Sequence, residues 1–460
     1  MQLNIFDLDK KPKKVTKPIR LIELFAGYGS QHFALKYLGA NVEHWKICEW
    51  AVQSIQAYKD GHCIDDTDYS KDMTKEELID YLFNKGISQN YNEPMTLQLI
   101  KRQNENWLRT VYNNIIATKN LVNIQQVKGS DLEIVDTNKY EYITTYSFPC
   151  QDLSLAGLGK GMDIESGTRS SMLWEVERIL DEIKNDNLEL PQILLMENVP
   201  QVIGTKNVGT FNKWQRKLEK LGYKNYHQNL IATDYGIPQT RNRTFMISIL
   251  GDYSYTFPQP IPLKLKLKDM LEDEVDEKYY LSDKHLNDIS NWNAYEKPLE
   301  HIGDEITGTL TTRSGAYCSS MKLVGIYNYS KSDNFLHGKS RFQQDKDIAN
   351  TILTAPKEGV VLKQAVILGN YMPSNHNASR IVDSDYSAPT VMENHGTITA
   401  TNTHNLRIRK LTPRECFRLM GVKDEDYERI AKNQSNSSLY HLAGDSIVID
   451  VLMYIFNQLF

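Results

Sequence analysis

No G-x-x-x-x-G-K-[ST] loop occurs in these 460 residues, so the usual backbone cradle for a triphosphate is missing. The five cysteines, Cys48, Cys63, Cys150, Cys318 and Cys416, form no C-x-x-C pair and no cluster with metal-ligand spacing. No metal is therefore expected, and an odd, scattered set suits a reducing compartment. There is no run of 18 apolar residues and no secretory apolar region. Neither a membrane span nor export is expected, which places the chain in the cytoplasm. Excess charge of one sign is also lacking: 53 basic and 58 acidic side chains leave a net charge of -5. A polyanionic partner would have to be met by a local basic face. The remaining composition, 40% hydrophobic and 24% charged, is ordinary and supports a sizeable core in two or three domains.

What is present alternates between strand and helix patterns. A Lys/Pro-rich leader, residues 1–17, is expected to be a solvated arm, with phosphate contact as the alternative. Residues 18–60 then run as an apolar strand (Ile19 to Phe25), a glycine-bearing turn, a helix (Gln31 to Leu38), a second strand (Val42 to Cys48) and a second helix. Strands alternating with helices imply an α/β fold with a mostly parallel, doubly wound sheet. Residues 64–127 break the rhythm. Thr74-Lys75-Glu76-Glu77 is a capping box, and Leu97 through Ile115 has helical spacing over one long segment, so this stretch is expected to be a helical insertion. The α/β rhythm resumes near Asp131, with strands at Tyr142–Tyr146, Ile193–Met196, Tyr226–Ala232 and Phe245–Leu250. Prolines at 258, 260 and 262 mark a boundary. Residues 263–401 are rich in Thr, Ser, Asn, Gly and Tyr and predict a smaller, mostly β or irregular domain. Within it, Arg341 and Arg380 recur at a spacing of 39, as do Thr351 and Thr390, which suggests paired strand-loop units. Thr412-Pro413-Arg414-Glu415 starts another helix, and the apolar stretch from Ser446 to Phe460 has helical spacing.

Four constellations carry chemistry. Phe25-Ala26-Gly27-Tyr28-Gly29 puts small residues at a strand-to-helix turn, where a ligand can approach the backbone. The next strand ends in Cys48-Glu49-Trp50; an acid at that place holds ribose hydroxyls in Rossmann-like units, and Trp50 is suited to stack on an adenine ring. With Asp131 as a third acid, the set suggests an adenosine-type cofactor. Ser147-Phe148-Pro149-Cys150-Gln151-Asp152-Leu153-Ser154 follows a buried strand, and its rigid proline sets the direction of Cys150. Alone, that thiol reads more readily as a small buried apolar group, the usual state of a free cysteine. Glu197, at the end of Leu194-Leu195-Met196-Glu197-Asn198, points into the crevice where such sheets bind ligands, and its apolar approach would raise its pKa. Arg241 and Arg243, two apart at a strand start, point the same way and either clamp a carbonyl, phosphate or carboxylate or face solvent.

In this order the segments resemble the DNA (cytosine-5)-methyltransferase family of bacteria and phage. To those above are added Gly167-Thr168-Arg169-Ser170-Ser171, Gln239-Thr240-Arg241-Asn242-Arg243, Arg409-Lys410-Leu411-Thr412-Pro413-Arg414-Glu415-Cys416 and Gly444-Asp445-Ser446-Ile447-Val448. Each motif is weak by itself; seven in the family's order are hard to obtain by chance. The resemblance implies a Rossmann-like S-adenosylmethionine-dependent domain made of residues 18–262 and 402–460, with residues 263–401 as a target-recognition domain. It implies that Cys150 attacks C6 of a flipped-out cytosine while Glu197 protonates N3, that Arg243 and Arg241 hold O2, and that Asn198 orders the loop. For the cofactor, S-adenosyl-L-methionine, it assigns Phe25, Gly27 and Gly29 to the methionine end, Glu49 to the ribose, Trp50 to the adenine and Asp131 to the exocyclic amine. Leu132, Pro149, Met172 and Asp445 complete that pocket. Gln151, Ser154, Arg341 and Arg380 would meet double-stranded DNA, where the two arginines read guanine, contact phosphate or only shape the repeat.

Several positions depart from the family pattern. Ser30 stands for a frequent third glycine, Glu23 for an aspartate, and Asp445 for an asparagine, which puts its cofactor contact in doubt. The insertion 64–127 is either a DNA-contacting lid or a structural appendage. A monomer is expected; whether it works beside a companion restriction endonuclease or as a solitary or phage enzyme is left open by the sequence. Rival readings are a tRNA cytosine-5 methyltransferase, disfavoured by the large variable domain, and a catalytically silent DNA-binding relative, which would not need Cys150, Glu197, Arg241 and Arg243. Transfer to an exocyclic amine is disfavoured because no [DNS]-Pro-Pro-[Tyr/Phe] segment occurs.

Overall fold

A computed structural model describes residues 11–149, 172–279 and 411–460, together with the backbone of four short strands between 367 and 410. Six strands form the main sheet: β1 (Ile19–Leu24), β2 (Val42–Cys48), β3 (Glu141–Tyr146), β4 (Ile193–Asn198), β5 (Tyr223–Ile231) and β6 (Asn242–Leu250). Their order is β2-β1-β3-β4-β6-β5. β1 pairs parallel with β2 and β3, β3 pairs parallel with β4, and β6 runs antiparallel to both β4 and β5. The expected mostly parallel, doubly wound sheet is present.

Side-chain alternation explains why both faces are covered. Leu21, Ile143, Ile193 and Leu195 enter one core cluster with Phe245, Ile247 and Ile249. Ile22, Leu24, Tyr142, Tyr146, Leu194 and Met196 enter the other. Successive residues of β1 and β4 thus serve opposite faces, as the two-residue period of a strand requires. Helices α1 (Ser30–Tyr37) and α11 (Ile449–Asn457) cover the first face; α6 (Leu173–Asn185) and α7 (Val208–Lys220) cover the second. Segment 436–457 is long and apolar enough to cross a membrane, but it is two helices, α10 (Asn436–Asp445) and α11, broken at the extended Ser446 and largely buried.

The parallel strands end level. Leu24 pairs with Cys48 and with Tyr146, and Tyr146 pairs with Met196. Glu197 pairs with Phe245 of the reversed β6, so Arg243 comes to the same edge. Glu49, Glu197, Arg243 and the start of the Ser147-Phe148-Pro149 segment therefore come to one edge, outside the carboxyl ends of the parallel strands.

Several local expectations change. The segment 97–115 is not one helix: α4 (Leu97–Lys101) and α5 (Glu105–Ala117) are split at Asn104, whose side chain accepts the Trp107 N–H at 2.8 Å and caps a new start. With α3 (Lys75–Lys85) they enclose their own apolar cluster, joined by Ile55 of α2 (Val52–His62). The leader from residue 11 is not a free arm. Lys13 N–H donates to Ser254, Val15 N–H to Leu459, and the Lys13 ammonium lies 2.5 Å from the buried Glu141 carboxylate. Residues 263–279, assigned above to the smaller domain, pack on the large one: Leu267 and Met270 join its core, and Arg418 of α8 (Pro413–Arg418) donates to the carbonyls of Met270 and Leu271. Strands β7 (Ile367–Asn370), β8 (Arg380–Asp383), β9 (Ile398–Ala400) and β10 (Ile408–Lys410) form a second sheet, with Arg380 opposite Asn370. Residues 408–410, assigned to the catalytic part, therefore belong to this sheet. The first copy of the repeat, with Arg341, lies outside the described residues.

Candidate active site

The turn after β1 is held in left-handed backbone by three residues: Phe25 (φ 61°), Gly27 (φ 56°) and Gly29 (φ 82°). A non-glycine residue there stores strain of the kind concentrated at functional sites. The two glycines differ in what they face. A Cβ on Gly27 would meet nothing within 4 Å, whereas one on Gly29 would collide with His62 Nε2 and stand 2.7 Å from Tyr58. Gly27 therefore opens onto free space at the strand ends, and Gly29 is small because the rings behind it are close. Gly29 thus shapes the turn against these rings.

Glu49 faces this opening. Its carboxylate accepts the Gly27 N–H at 2.9 Å and the Ala51 N–H at 2.8 Å. Burial pushes its pKa up to about 7, against these bonds, and the Asp445 charge adds to the rise. Asn120 fixes the main chain at this point: its amide donates to the Glu49 carbonyl at 2.9 Å and accepts the N–H groups of Glu49 (3.1 Å) and Val122 (2.9 Å). Val122 has a φ of 68°, a conformation that a β-branched residue adopts only when its surroundings impose it.

At the end of β4, Glu197 is 8% exposed and lies 3.1 Å from the Arg243 Nε. Burial raises its pKa, and the two nearby arginines oppose this without cancelling it. Asn198 is buried; it donates to the Phe148 carbonyl at 2.9 Å, while its side-chain oxygen accepts the Val199 N–H. The acid and the start of the Phe148-Pro149 segment are thereby locked together. Arg241 and Arg243 both act on the Glu197 charge but hydrogen-bond to different groups. Arg241 is 4% exposed and donates to the carbonyls of Gly444 (2.9 Å) and Ser446 (2.6 Å), tying β6 to the break between α10 and α11. Arg241 thus also holds the main chain of the C-terminal segment, a role that no short-range pattern reveals.

The remaining expected residues are placed as follows. Asp445 ends α10, more than half exposed, and pairs with His441 at 3.1 Å. Its charge acts on both Glu49 and Glu197, so it stands at the same crevice. Asp131 accepts the Lys128 N–H at 2.8 Å and so caps the short 3-10 turn before β3. Leu132 turns its side chain into the core, and its carbonyl accepts the Trp45 indole N–H. Trp50 packs on the cluster of the insertion, and Phe25 and Met172 each pack against the second core. Pro149 is half-buried. Cys150, Gln151, Ser154 and Arg341 lie outside the described residues, and of Arg380 the backbone alone is described.

The family model described as "C-5 cytosine-specific DNA methylase" matches residues 83–460. The chain belongs to this family. It is an enzyme of the DNA (cytosine-5)-methyltransferase class. It is 32% identical over 454 residues to the type II methyltransferase M2.ScrFI of Lactococcus lactis subsp. cremoris, covering 96% of this chain and 99% of that protein. It is 39% identical over 292 residues to the orphan methyltransferase M.SssI of Spiroplasma monobiae, covering 62% and 72%. Two solved structures share the fold: S. pombe Dnmt2 (TM-score 0.52, 15% identity, 96% of this chain and 97% of that one) and Entamoeba histolytica EhMeth (0.54, 13%, 97% and 98%).

Two residues of this methyltransferase escaped the sequence reading. Asn120, which clamps the Glu49 main chain, sits in no motif; the short turn Thr118-Lys119-Asn120 after α5 is the sole local signal. Tyr91, within the insertion, lies within electrostatic reach of Glu49 and Asp445. Neither is near the motifs in sequence.

Proposed function

We propose that this enzyme moves a methyl group from S-adenosyl-L-methionine to C5 of a cytosine flipped out of a specific duplex DNA sequence, with Cys150 as nucleophile. The observation that carries this reading is the Asn198–Phe148 bond, which ties the loop leading to Cys150 to the strand end bearing Glu197, beside Arg243. The Cys150 thiolate adds to C6, and Glu197 gives its proton to N3 as the ring takes up the electron pair. Burial raises the pKa of this carboxyl, which favours its acting as the proton donor. Arg243 supports the O2 side and stabilises the thiolate. C5, made nucleophilic by the addition at C6, takes up the methyl group as the N3 proton returns to Glu197, and loss of the C5 proton to water then expels Cys150 and restores the ring double bond.

The residues present fit the cofactor. Gly27 leaves room where a side chain would intrude, and the Glu49 carboxylate stands over that room with Asp445 nearby. When bound, the cofactor supplies an electrophilic methyl group. Glu49 would take the ribose, Trp50 and Asp131 the adenine, and Phe25, Gly27 and Asp445 the methionine end, with Leu132, Pro149 and Met172 lining the walls. Gln151, Ser154, Arg341 and Arg380 are proposed to meet the DNA, and the cytoplasm is the proposed site of action.

Cys150→Ser is expected to lose methyl transfer to duplex DNA while its melting temperature stays unchanged. Duplexes carrying 5-fluorocytosine at the target are expected to form a covalent adduct with the unmodified enzyme in the presence of cofactor, detected by denaturing electrophoresis. Full activity in the serine variant, or no adduct, rejects the mechanism.

A further inference from the structure

The insertion closes on the cofactor side of the crevice through one loop. Residues 87–95 form a turn shut at its base by the Met95 N–H donating to the Ile87 carbonyl at 2.7 Å. Ser88 exchanges two main-chain bonds with the segment just after Glu49: its N–H donates to Trp50 (2.8 Å), and its carbonyl accepts from Val52 (2.9 Å). The Asn90 side chain accepts the N–H groups of Asn92 and Glu93, and the Ser88 hydroxyl donates to the Glu93 carbonyl. The Gln53 amide donates to the Gln89 carbonyl. A loop bonded at so many points is a fixed part, unlike a mobile lid.

Tyr91 sits at its tip in left-handed backbone (φ 62°), where a non-glycine residue is strained. Its ring lies on His441 of α10, with centroids 3.6 Å apart and planes inclined by 36°. His441 pairs, one turn on, with Asp445. The Tyr91 hydroxyl lies beside Ser54 of α2 and Ser438 of α10. The residue is therefore wedged between the helix that follows Glu49 and the helix that ends in Asp445.

We infer that Tyr91 is a positioning residue for cofactor binding: stacked on His441, it fixes the Asp445 carboxylate opposite Glu49. This rests on the proposed cofactor site. It assigns the insertion to the cofactor, in place of the DNA lid or plain appendage. It also gives the unusual Asp445 a reason: it sets a negative charge beside His441 that the family's more frequent asparagine lacks.

The test is titration of the full-length enzyme with S-adenosylmethionine, alongside duplex DNA binding and steady-state kinetics. Tyr91→Ala is expected to raise the cofactor Kd and KM about tenfold, the scale of a lost support behind a ligand-binding side chain. kcat at saturating cofactor and the DNA Kd should change less than about twofold. Tyr91→Phe, which keeps the ring, is expected to restore affinity. His441→Ala should weaken binding similarly, and the double variant should be no worse than either single one, because both act through one contact. An unchanged cofactor Kd in Tyr91→Ala, additive losses, or a loss confined to DNA binding overturns the inference. If the unmodified enzyme binds no cofactor, the underlying site assignment fails instead.

Discussion

Gly27 and Gly29 stand two positions apart in one turn, both with positive φ, and are required for different reasons. At Gly27 an alanine meets open space, so its cost is the left-handed backbone, about 1–2 kcal/mol. Its methyl group would project where the cofactor is proposed to lie. Gly27→Ala is therefore expected to fold and melt near the unmodified enzyme but to bind S-adenosylmethionine more weakly. Gly29→Ala adds a collision with the half-buried His62 and the fully buried Tyr58, and is expected to lose roughly 2–4 kcal/mol of stability. Denaturant melts combined with cofactor titration separate the two; equal stability losses would refute the distinction. The sequence marks both glycines as members of a close-approach turn. It does not reveal that the partner of one is a protein ring, because that ring comes from a helix some thirty residues on.

At the scale of elements, the packing of β1 against α1 and α2 depends on a buried acid. Glu23 is fully buried, accepts the Tyr58 hydroxyl at 2.5 Å and the His32 N–H at 3.3 Å, and has its pKa pushed up to about 8, chiefly by burial. Its folded pKa exceeds the unfolded value of about 4.5, so its contribution is fully present below the unfolded value and is lost as pH rises toward 8. His32 opposes this. Burial lowers its pKa to about 3, so its contribution is present above pH 6.5 and fades as pH falls. Glu23→Gln removes the first dependence alone. The melting temperature of the variant minus that of the unmodified enzyme is expected to grow between pH 5 and pH 8 and then level off. A flat difference across that range would contradict the raised acid. The helices themselves were legible where caps are local: the boxes at Thr74–Glu77 and Thr412–Glu415 both form as expected. The split between α4 and α5 was not, because the apolar spacing runs through Asn104 without interruption.

At the scale of the whole molecule, the C-terminal helices complete the crevice. Arg241 anchors them by donating to Gly444 and Ser446, and Ser30 meets Ser446 side chain to side chain. Removing a buried guanidinium strands these carbonyls, so Arg241→Ala is expected to cost roughly 3 kcal/mol or more of stability. Arg243→Ala is expected to lose methyl transfer with little change in melting temperature, because its partner is the proposed proton donor Glu197. Thermal melts and initial rates on both variants decide it; matched losses in both would show that the pair acts as one unit.

The sequence by itself determined the doubly wound sheet, the strand-end placement of Glu49 and Glu197, and the membership of the family. Those follow from periodicity, capping and motif order, which are properties of neighbouring residues. Tertiary structure decided which arginine lies against the Glu197 carboxylate, which glycine opens onto free space, and that Asn120 bonds to the Glu49 main chain and Tyr91 packs on His441. Each of those depends on a partner distant in the chain: the Arg241 acceptors are more than 200 residues away, and Tyr91 meets His441 from the far end of the molecule. A hydrogen bond or ring contact over such a separation leaves no local pattern, since the chain has to close on itself before the partners exist.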